Sequence, residues 1–221
     1  MKPLDSSQFS ASLVEFLAAA QQLKRVPRTG WVDRGIPHEH VESVADHSWG
    51  VAMMAWVLSL SGSNAGLDNG RVLQLALVHD LAEAITGDDP PYEREDVAAL
   101  SESDRATMFS HRIIADDLRR KAKREAESHA MQQLTALLPG PAAEALESLW
   151  TELSARETPE AQFVKELDRL ETYFQSREYA LAFPDLAFGS FGAEVQETLT
   201  TPMLQELRDA ITAATTPDPQ D

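Results

Sequence analysis

The feature that most constrains the fold is a helical spacing of apolar residues along nearly the whole chain. Apolar side chains recur every three or four residues, and we find no alternation of apolar and polar residues typical of strands. Internal repeats and low-complexity tracts are not found either. The chain has 221 residues, 43% of them hydrophobic, which is enough for one continuous core. The sequence therefore predicts an all-α fold, a single helical bundle.

Capping residues, glycines and prolines set the predicted helix boundaries. We predict helices over 6–24, 43–60, 69–87, 101–138, 141–155, 159–182 and 193–214, with loops over 25–42, 61–70, 88–95 and 183–192. Ser43 and Thr158 are the predicted N-caps of the second and sixth helices. We expect the tail from Thr215 to Asp221 to fray.

Charge and cysteine content exclude several classes of function. Nineteen basic and 36 acidic side chains give a formal charge of −17, which argues against a nucleic acid polymer as partner. The chain has no cysteine, which excludes a disulfide framework, a thiolate nucleophile and a Cys-ligated zinc site. No stretch approaches about 18 consecutive apolar residues, and the N-terminus lacks the apolar region of a secretory signal. We therefore predict no membrane association and a cytoplasmic location.

Two histidines and two aspartates on apolar helix faces are the first candidates for chemistry: His47, His79, Asp80 and Asp168. His79 and Asp80 lie in an otherwise apolar run, where an ionised, unpaired Asp costs several kcal/mol. Imidazole and carboxylate groups from three helices suit a first-row divalent ion such as Mn, Co, Fe or Zn. Simpler interpretations also fit: a His79–Asp80 core pair, a buried His47 without a ligand role, and a surface ion pair at Asp168.

Two further acids and one basic segment lie near these residues. Glu83 follows His79 by four residues, on the same helical face, and Asp88 follows Gly87. Residues 22–36 carry a net charge of +3 in a chain of −17. This segment suits a phosphate-binding cradle, although a solvated basic loop explains its composition equally well.

These residues resemble the H…HD…D pattern of the HD-domain metal-dependent phosphohydrolases. Four runs are similar to the 5′-deoxynucleotidase branch: LKRVPRTGW at 23–31, ESVADH at 42–47, ALVHDLAE at 76–83 with Gly87-Asp88, and FVKELDR at 163–169. The resemblance covers about residues 10–185. It predicts an N-terminal segment over 1–9, an HD domain over 10–185, and a C-terminal helix with a frayed tail over 186–221.

This resemblance implies metal-dependent hydrolysis of deoxyribonucleoside 5′-monophosphates to a deoxyribonucleoside and phosphate, by a helical bundle that is often a homodimer. The metal site lies between helices and holds one divalent ion: Co, Mn, Zn, Fe or Mg. The implied ligands are His47, His79, Asp80 and Asp168, the catalytic acids are Glu83 and Asp88, and the substrate-binding residues are Arg28, with Arg25 as reserve, and Trp31. Two alternatives stay open: another HD phosphohydrolase, acting on dNTPs or cyclic nucleotides, and a non-catalytic nucleotide-binding protein with a structural metal.

Overall fold

A computed structural model describes the backbone of residues 6–60 and 66–216, and side chains from Ser10 onward. In this part of the chain all regular structure is helical, apart from one antiparallel bridge between Pro27 and Ser43, so the all-α prediction is confirmed. The helices are α1 Ser6–Ala20, α2 Thr29–Arg34, α3 Val44–Ser59, α4 Asn69–Val78, α5 Glu83–Thr86, α6 Arg94–Ala99, α7 Glu102–Phe109, α8 Asp117–Ala136, α9 Gly140–Ala155, α10 Pro159–Ala182, α11 Gly189–Thr198 and α12 Pro202–Ala214. Two 3₁₀ helices cover Gln21–Arg25 and His38–His40.

Parts of three predicted segments lie outside the described residues. They are the start of the N-terminal segment (residues 1–5), the first half of the loop after α3 (61–65) and most of the tail (217–221). None of the described helices is long and apolar enough to span a membrane.

Helix α10 is the central element of the bundle and packs against α3, α4, α11 and α12. Val164, Leu167 and Leu170 are fully buried on it, as their helical spacing predicts. Phe174 continues the same helical spacing, but it is 37% exposed. α11 and α12 complete the same core with side chains such as Leu204, so the C-terminal helices belong to this bundle.

Local capping explains where α3 and α10 begin. The Ser43 hydroxyl accepts a hydrogen bond from the Asp46 N–H at 3.2 Å, and the Asp46 carboxylate accepts one from the Ser43 N–H at 2.8 Å. At α10 the Thr158 hydroxyl accepts a hydrogen bond from the Ala161 N–H at 3.2 Å, and Thr158 is followed by a proline in the first turn of the helix. Both predicted N-caps are confirmed.

The predicted single helix over 69–87 is wrong, because α-helical bonding stops at Val78 and resumes at Glu83. Between them the bonds span three residues, from the Leu81 N–H to Val78 O at 3.1 Å and from the Glu83 N–H to Asp80 O at 3.0 Å. A ring nitrogen of His79 lies 2.8 Å from the carbonyl oxygen of Ala76. In an unbroken α-helix this oxygen would accept a hydrogen bond from the backbone N–H four residues later. The His-Asp pair therefore lies in a tight turn between α4 and α5. Short 3₁₀ stretches inside helices often mark functional positions.

Two other predicted helices and three predicted loops are corrected. The predicted helix over 101–138 is interrupted at residues 110–116, and Asp116 caps α8 by accepting from the Arg119 N–H at 2.8 Å. The predicted helix over 193–214 is two helices, since the buried Glu166 carboxylate accepts from the N–H groups of Thr200 and Thr201 before Pro202. The loops predicted over 25–42, 88–95 and 183–192 contain, respectively, α2, the start of α6 and the start of α11.

Candidate metal centre

Two imidazole side chains meet edge to face in the bundle, one from α3 and one from the α4–α5 turn. The Nε2 atoms of His47 and His79 are 3.3 Å apart. Each Nδ1 has an acceptor on its other side: a Glu171 carboxylate oxygen at 2.5 Å for His47, and the Ala76 carbonyl at 2.8 Å for His79. If each Nδ1 donates its proton to that acceptor, both Nε2 lone pairs point to the same space. Metal-binding histidines are typically held in this way.

Two aspartates approach the same point. Asp80 Oδ2 lies 3.2 Å from His79 Nε2 and 3.6 Å from His47 Nε2, and Asp168 Oδ1 lies 3.2 Å from His47 Nε2. Ligand atoms bound at about 2.0–2.2 Å to one divalent ion are roughly 3.0–3.6 Å apart. His47, His79 and Asp80 therefore form a candidate metal site. Asp168 adjoins it, and its second oxygen contacts Lys165 Nζ at 2.6 Å.

The charges of this cluster suit metal binding. Burial alone would raise the pKa of both aspartates. At Asp80 the attraction of His79 is stronger than this effect, and at Asp168 the attraction of Lys165 and His47 is stronger. Both pKa values are therefore lowered. Burial and Arg28 disfavour a charged His47, yet hydrogen bonds with Asp168 and Glu171 raise its pKa to about 10. Both carboxylates are thus ionised at neutral pH, whereas His47 must lose a proton to bind an ion.

Glu171 contacts the candidate site but is not among the residues predicted from the sequence. It lies three residues after Asp168 on α10, is only 8% exposed, and is placed close against α3. Gly50 makes room for it, since a Cβ at that position would collide with the Glu171 carboxylate. An acidic residue one turn beyond a candidate ligand, within a buried stripe, was the available signal.

Arg28 is held beside the centre by several groups. Its Nη1 lies 3.7 Å from Asp80 Oδ2, its Nη2 donates to the Thr172 hydroxyl at 3.0 Å, and its Nε lies 3.9 Å from Glu42. The Arg28 N–H also donates to the Glu42 carbonyl at 3.0 Å, next to the Pro27–Ser43 bridge. This pairing ties the basic segment to the start of α3.

The other two predicted substrate-binding residues lie in different environments. Trp31 is 1% exposed, packs against Tyr179 and Phe191, and donates its indole N–H to Glu42 at 2.7 Å. Its ring forms part of the wall of the cavity beside the centre. Arg25 is exposed, donates to Gln22 at 3.3 Å, and does not line this cavity.

A cavity of about 270 Å³ opens beside the candidate metal site, lined by Arg28, Asp80, Glu83 and Asp88 among others. One Glu83 oxygen lies 3.5 Å from Lys123 Nζ, and the other is buried without a hydrogen-bond partner among the described residues. Burial, Asp80 and Asp88 together raise the pKa of Glu83 well above its ordinary value. A carboxyl group with a raised pKa is suited to proton transfer near neutral pH.

Asp88 ties the loop after α5 to the basic segment. Its Oδ2 accepts from the Thr29 N–H at 2.5 Å, and its carbonyl accepts from the Thr29 hydroxyl at 2.8 Å. Gly87, at φ +75°, makes the turn that precedes it, a conformation that other residues rarely adopt. Asp88 is therefore placed next to the residue that follows Arg28.

Helix α8 forms a second wall beside the candidate metal site. No function was predicted for this segment from the sequence. Its Lys123 contacts Glu83 and donates to the Asp89 carbonyl at 3.0 Å. A second cleft of about 430 Å³ opens on this side of Asp80, and Arg124 and Arg156 also line it. The candidate metal site is thus flanked by cationic side chains in a strongly acidic chain.

Comparisons with known proteins identify relatives of this chain. Residues 20–201 match the sequence pattern of the HD domain. The 5′-deoxynucleotidase HDDC2 of Mus musculus is 39% identical over 176 residues, which cover 80% of this chain and 74% of the mouse protein. The 5′-deoxynucleotidase hdd1 of Schizosaccharomyces pombe is 33% identical over 174 residues, covering 79% of this chain and 75% of the yeast protein.

Solved structures share the fold. A conserved hypothetical protein from Pyrococcus furiosus superposes with a TM-score of 0.65 at 27% identity, over 90% of this chain and 99% of its own. The PH0347 protein from Pyrococcus horikoshii gives a TM-score of 0.64 at 26% identity, over 91% of this chain and 98% of its own.

Proposed function

The chain belongs to the HD domain family, and we propose that it is a 5′-deoxynucleotidase, which hydrolyses deoxyribonucleoside 5′-monophosphates to a deoxyribonucleoside and phosphate. The observation that carries the proposal is the convergence of three groups in one cavity. The candidate site of His47, His79 and Asp80 adjoins a fixed cation, Arg28, and a buried acid, Glu83. Hydrolysis of a phosphate monoester requires these elements: a polarising centre, a phosphate ligand and a proton acceptor.

We propose His47, His79, Asp80 and Asp168 as the ligands of one divalent ion, of which Co, Mn, Zn, Fe and Mg are the candidates. The opposed Nε2 atoms and the two ionised carboxylates support this set. When bound, the ion supplies Lewis-acid polarisation of the phosphoryl group and lowers the pKa of a bound water. The contact between Lys165 and the outer oxygen of Asp168 leaves its inner oxygen facing His47.

Arg28 binds the substrate phosphate in this proposal. Its guanidinium lies at the cavity wall, and Thr172 and Glu42 hold it in one orientation. A planar guanidinium can bridge two phosphate oxygens, a geometry that an ammonium cannot reproduce. Because Arg25 is exposed and does not line the cavity, Arg28 is the better supported of the two arginines. Trp31 would bound the substrate space as a fixed wall.

Glu83 accepts the proton of the attacking water in this proposal. Its raised pKa and its unpaired buried oxygen support the role, and the Lys123 ammonium stabilises its ionised form. Asp88 lies in the same cavity with one oxygen held by the Thr29 N–H. Its other oxygen can accept a hydrogen bond from the sugar or orient the leaving 5′ oxygen.

We also propose that the enzyme works as a homodimer in the cytoplasm, on a small-molecule deoxynucleotide. The support for the homodimer is an exposed apolar face of α3 that carries Trp49, Met53 and Trp56.

A substrate panel tests the proposed reaction. Conversion of substrate to product by metal-reconstituted protein, followed by chromatography, should be fastest with deoxyribonucleoside 5′-monophosphates, compared with ribonucleotides, dNTPs and cyclic nucleotides. Faster turnover of dNTPs or cyclic nucleotides would support another HD phosphohydrolase, and bound metal without turnover would support a structural metal. The matched variant is Glu83→Gln, which should retain metal and lose about 10²–10⁴-fold in kcat, the usual contribution of a positioned general base.

A further inference from the structure

Most of the second cleft, on the α8 side of Asp80, has no part in the proposed reaction. It borders Asp80 and Asp168, as does the cavity that holds Arg28 and Glu83, so two openings share the metal centre. Beyond the metal centre its walls come largely from α8 and α9, and we call it the α8–α9 cleft. Its outer wall includes Arg120, Arg124, Trp150, Leu153 and Arg156.

The charge of the α8–α9 cleft is unusual for this chain. Six cationic and four acidic side chains line the cleft, whereas the whole chain has a formal charge of −17. Two of the four acids are Asp80 and Asp168, proposed ligands whose charge a divalent ion would offset. The cleft therefore attracts an anion, although the chain as a whole repels one.

Two arginines of the cleft have no ionic partner. The other four cations each pair with a nearby acid. Arg124 on α8 and Arg156 after α9 form neither an ion pair nor a side-chain hydrogen bond within the part of the chain that the structure describes. Both side chains are exposed, so their guanidinium groups are free to bind a ligand.

The backbone of Arg156 is strained. Its φ is +55°, and no other non-glycine residue among those described has a positive φ. Glycine usually occupies this position after a helix, because it has no Cβ. The turn is fixed at both ends: the Arg156 N–H donates to the Glu152 carbonyl at 3.0 Å, and the Gln162 side chain donates to the Arg156 carbonyl at 3.1 Å. Strained residues of this kind cluster at functional sites, which supports a function for the Arg156 side chain.

We propose that the α8–α9 cleft binds a nucleoside triphosphate as an effector. Arg120 and Arg124 lie one turn apart on α8, about 6 Å along the helix axis, and Arg156 lines the same cleft from the end of α9. A guanidinium can bridge two phosphate oxygens. Three such groups in one cleft therefore suit a ligand with several linked phosphates.

The apolar part of the cleft suits the nucleoside. Trp150 and Leu153 of α9 are partly buried and line the cleft with the arginines. An indole can stack on a nucleobase of any identity. The cleft volume of about 430 Å³ lies within the usual range for small-molecule sites, and it exceeds the 270 Å³ of the cavity beside Arg28. A single inorganic phosphate would leave the aromatic surface uncovered.

An occupied cleft should weaken substrate binding without blocking it. The triphosphate would add negative charge near Asp80 and Asp168, where the substrate phosphate is proposed to bind, and the two anions repel each other. Coupling between two sites is reciprocal, so each ligand should weaken the other by the same factor, at least about fivefold. This consequence rests on the proposed function, whereas binding of the triphosphate to the cleft does not.

Calorimetry on the full metal-loaded chain tests the binding, with the free divalent ion buffered so that ATP does not remove it. One ATP per chain should bind, also when the substrate cavity is saturated with a dAMP phosphonate, in which a methylene group replaces the 5′ oxygen and prevents hydrolysis. The phosphonate should weaken ATP binding by a factor that reaches a limit. No ATP binding, or a factor that grows without limit, would overturn the proposal. Inorganic triphosphate should bind more weakly than ATP, and equal affinities would contradict recognition of the nucleoside.

Removal of single charges locates the site. Arg124→Gln and Arg156→Gly should each weaken ATP binding about tenfold or more, the usual contribution of a hydrogen bond to a charged group. Arg156→Gly should not lower the midpoint of thermal unfolding, because glycine relieves the positive φ. The matched control is Lys121→Gln, which removes one positive charge from an exposed position of α8 outside the cleft and should bind ATP like the parent. Affinity equal to the parent's in both cleft variants would overturn the proposal.

Steady-state kinetics tests the consequence for the reaction. ATP should raise KM for deoxynucleotides in the parent, and much less in Arg156→Gly, with kcat unchanged in both. An unchanged KM in the parent would contradict the role as an effector. Because ATP binding is measured without turnover, failure of this site is distinguishable from failure of the proposed reaction.

Discussion

Replacing Glu171 by glutamine should weaken metal binding without removing any proposed ligand. The Glu171 carboxylate lies 2.5 Å from His47 Nδ1, and both side chains are buried. A glutamine carbonyl can still accept the Nδ1 proton, so the ring keeps its orientation. The negative charge is lost, however, and the imidazole becomes a less basic ligand.

The expected magnitude follows from the position of Glu171 behind a ligand. Loss of such outer partners typically weakens metal affinity by about 10–100-fold, which corresponds to roughly 1.4–2.7 kcal/mol. We therefore expect the dissociation constant for the divalent ion to rise within that range. Thermal stability of the metal-free protein is a separate quantity and should be measured alongside.

Competition with a chelating dye measures the affinity, and Glu166→Gln is the matched control. Glu166 lies on the same helix and is also 8% exposed, but its carboxylate accepts from the N–H groups of Thr200 and Thr201, away from the metal centre. Glu166→Gln should destabilise the fold and leave metal affinity unchanged. Equal affinities for Glu171→Gln and the parent would refute the role of Glu171 in holding His47.

Three further predictions follow from the same contacts. Arg28→Lys should raise KM for deoxynucleotides with metal content unchanged, because an ammonium cannot bridge two phosphate oxygens as the planar guanidinium does. Arg25→Lys is the control and should match the parent in steady-state kinetics. Metal binding should release about one proton, because His47 has a pKa of about 10 and must be deprotonated to bind the ion. The metal affinity should therefore rise about tenfold for each pH unit up to that pKa. Calorimetry in buffers of different ionisation enthalpy measures the released proton. Lys123→Met should shift the acid limb of the kcat–pH profile to higher pH, because Lys123 lowers the pKa of Glu83 and the reaction needs the ionised form; an unshifted limb would argue against Glu83 as the base.

Local signals made part of the fold predictable from sequence. The starts of α3 and α10 follow from Ser43 and Thr158, whose caps involve neighbours three residues away. The break between α4 and α5 is marked by no capping residue, although the contact that accompanies it, between His79 and the Ala76 carbonyl, also spans only three residues. The division of the last predicted helix depends on a distant residue, Glu166, more than 30 residues before it.

The candidate site was predictable only in part, for a similar reason. The residues of the H…HD…D pattern are recognised from the resemblance of the surrounding runs to a known family, since their spacing alone does not single them out. The structure brings His47, His79 and Asp80 together. Glu171 and Lys123 act through contacts with residues far along the chain: His47 is 124 residues from Glu171, and Glu83 is 40 residues from Lys123. Their roles depend on how the helices pack, which apolar periodicity alone does not specify.

In the proposed function, one divalent ion at the site of His47 and its neighbours is required for phosphate release from deoxynucleotides. The most direct test titrates metal into the metal-free protein while bound metal and phosphate release are measured on the same samples. Activity should rise in proportion to metal occupancy and reach a plateau at one ion per chain, and Asp80→Ala should lose both the bound metal and the activity. Activity that is present without metal, or that survives in Asp80→Ala after the ion is lost, would contradict it.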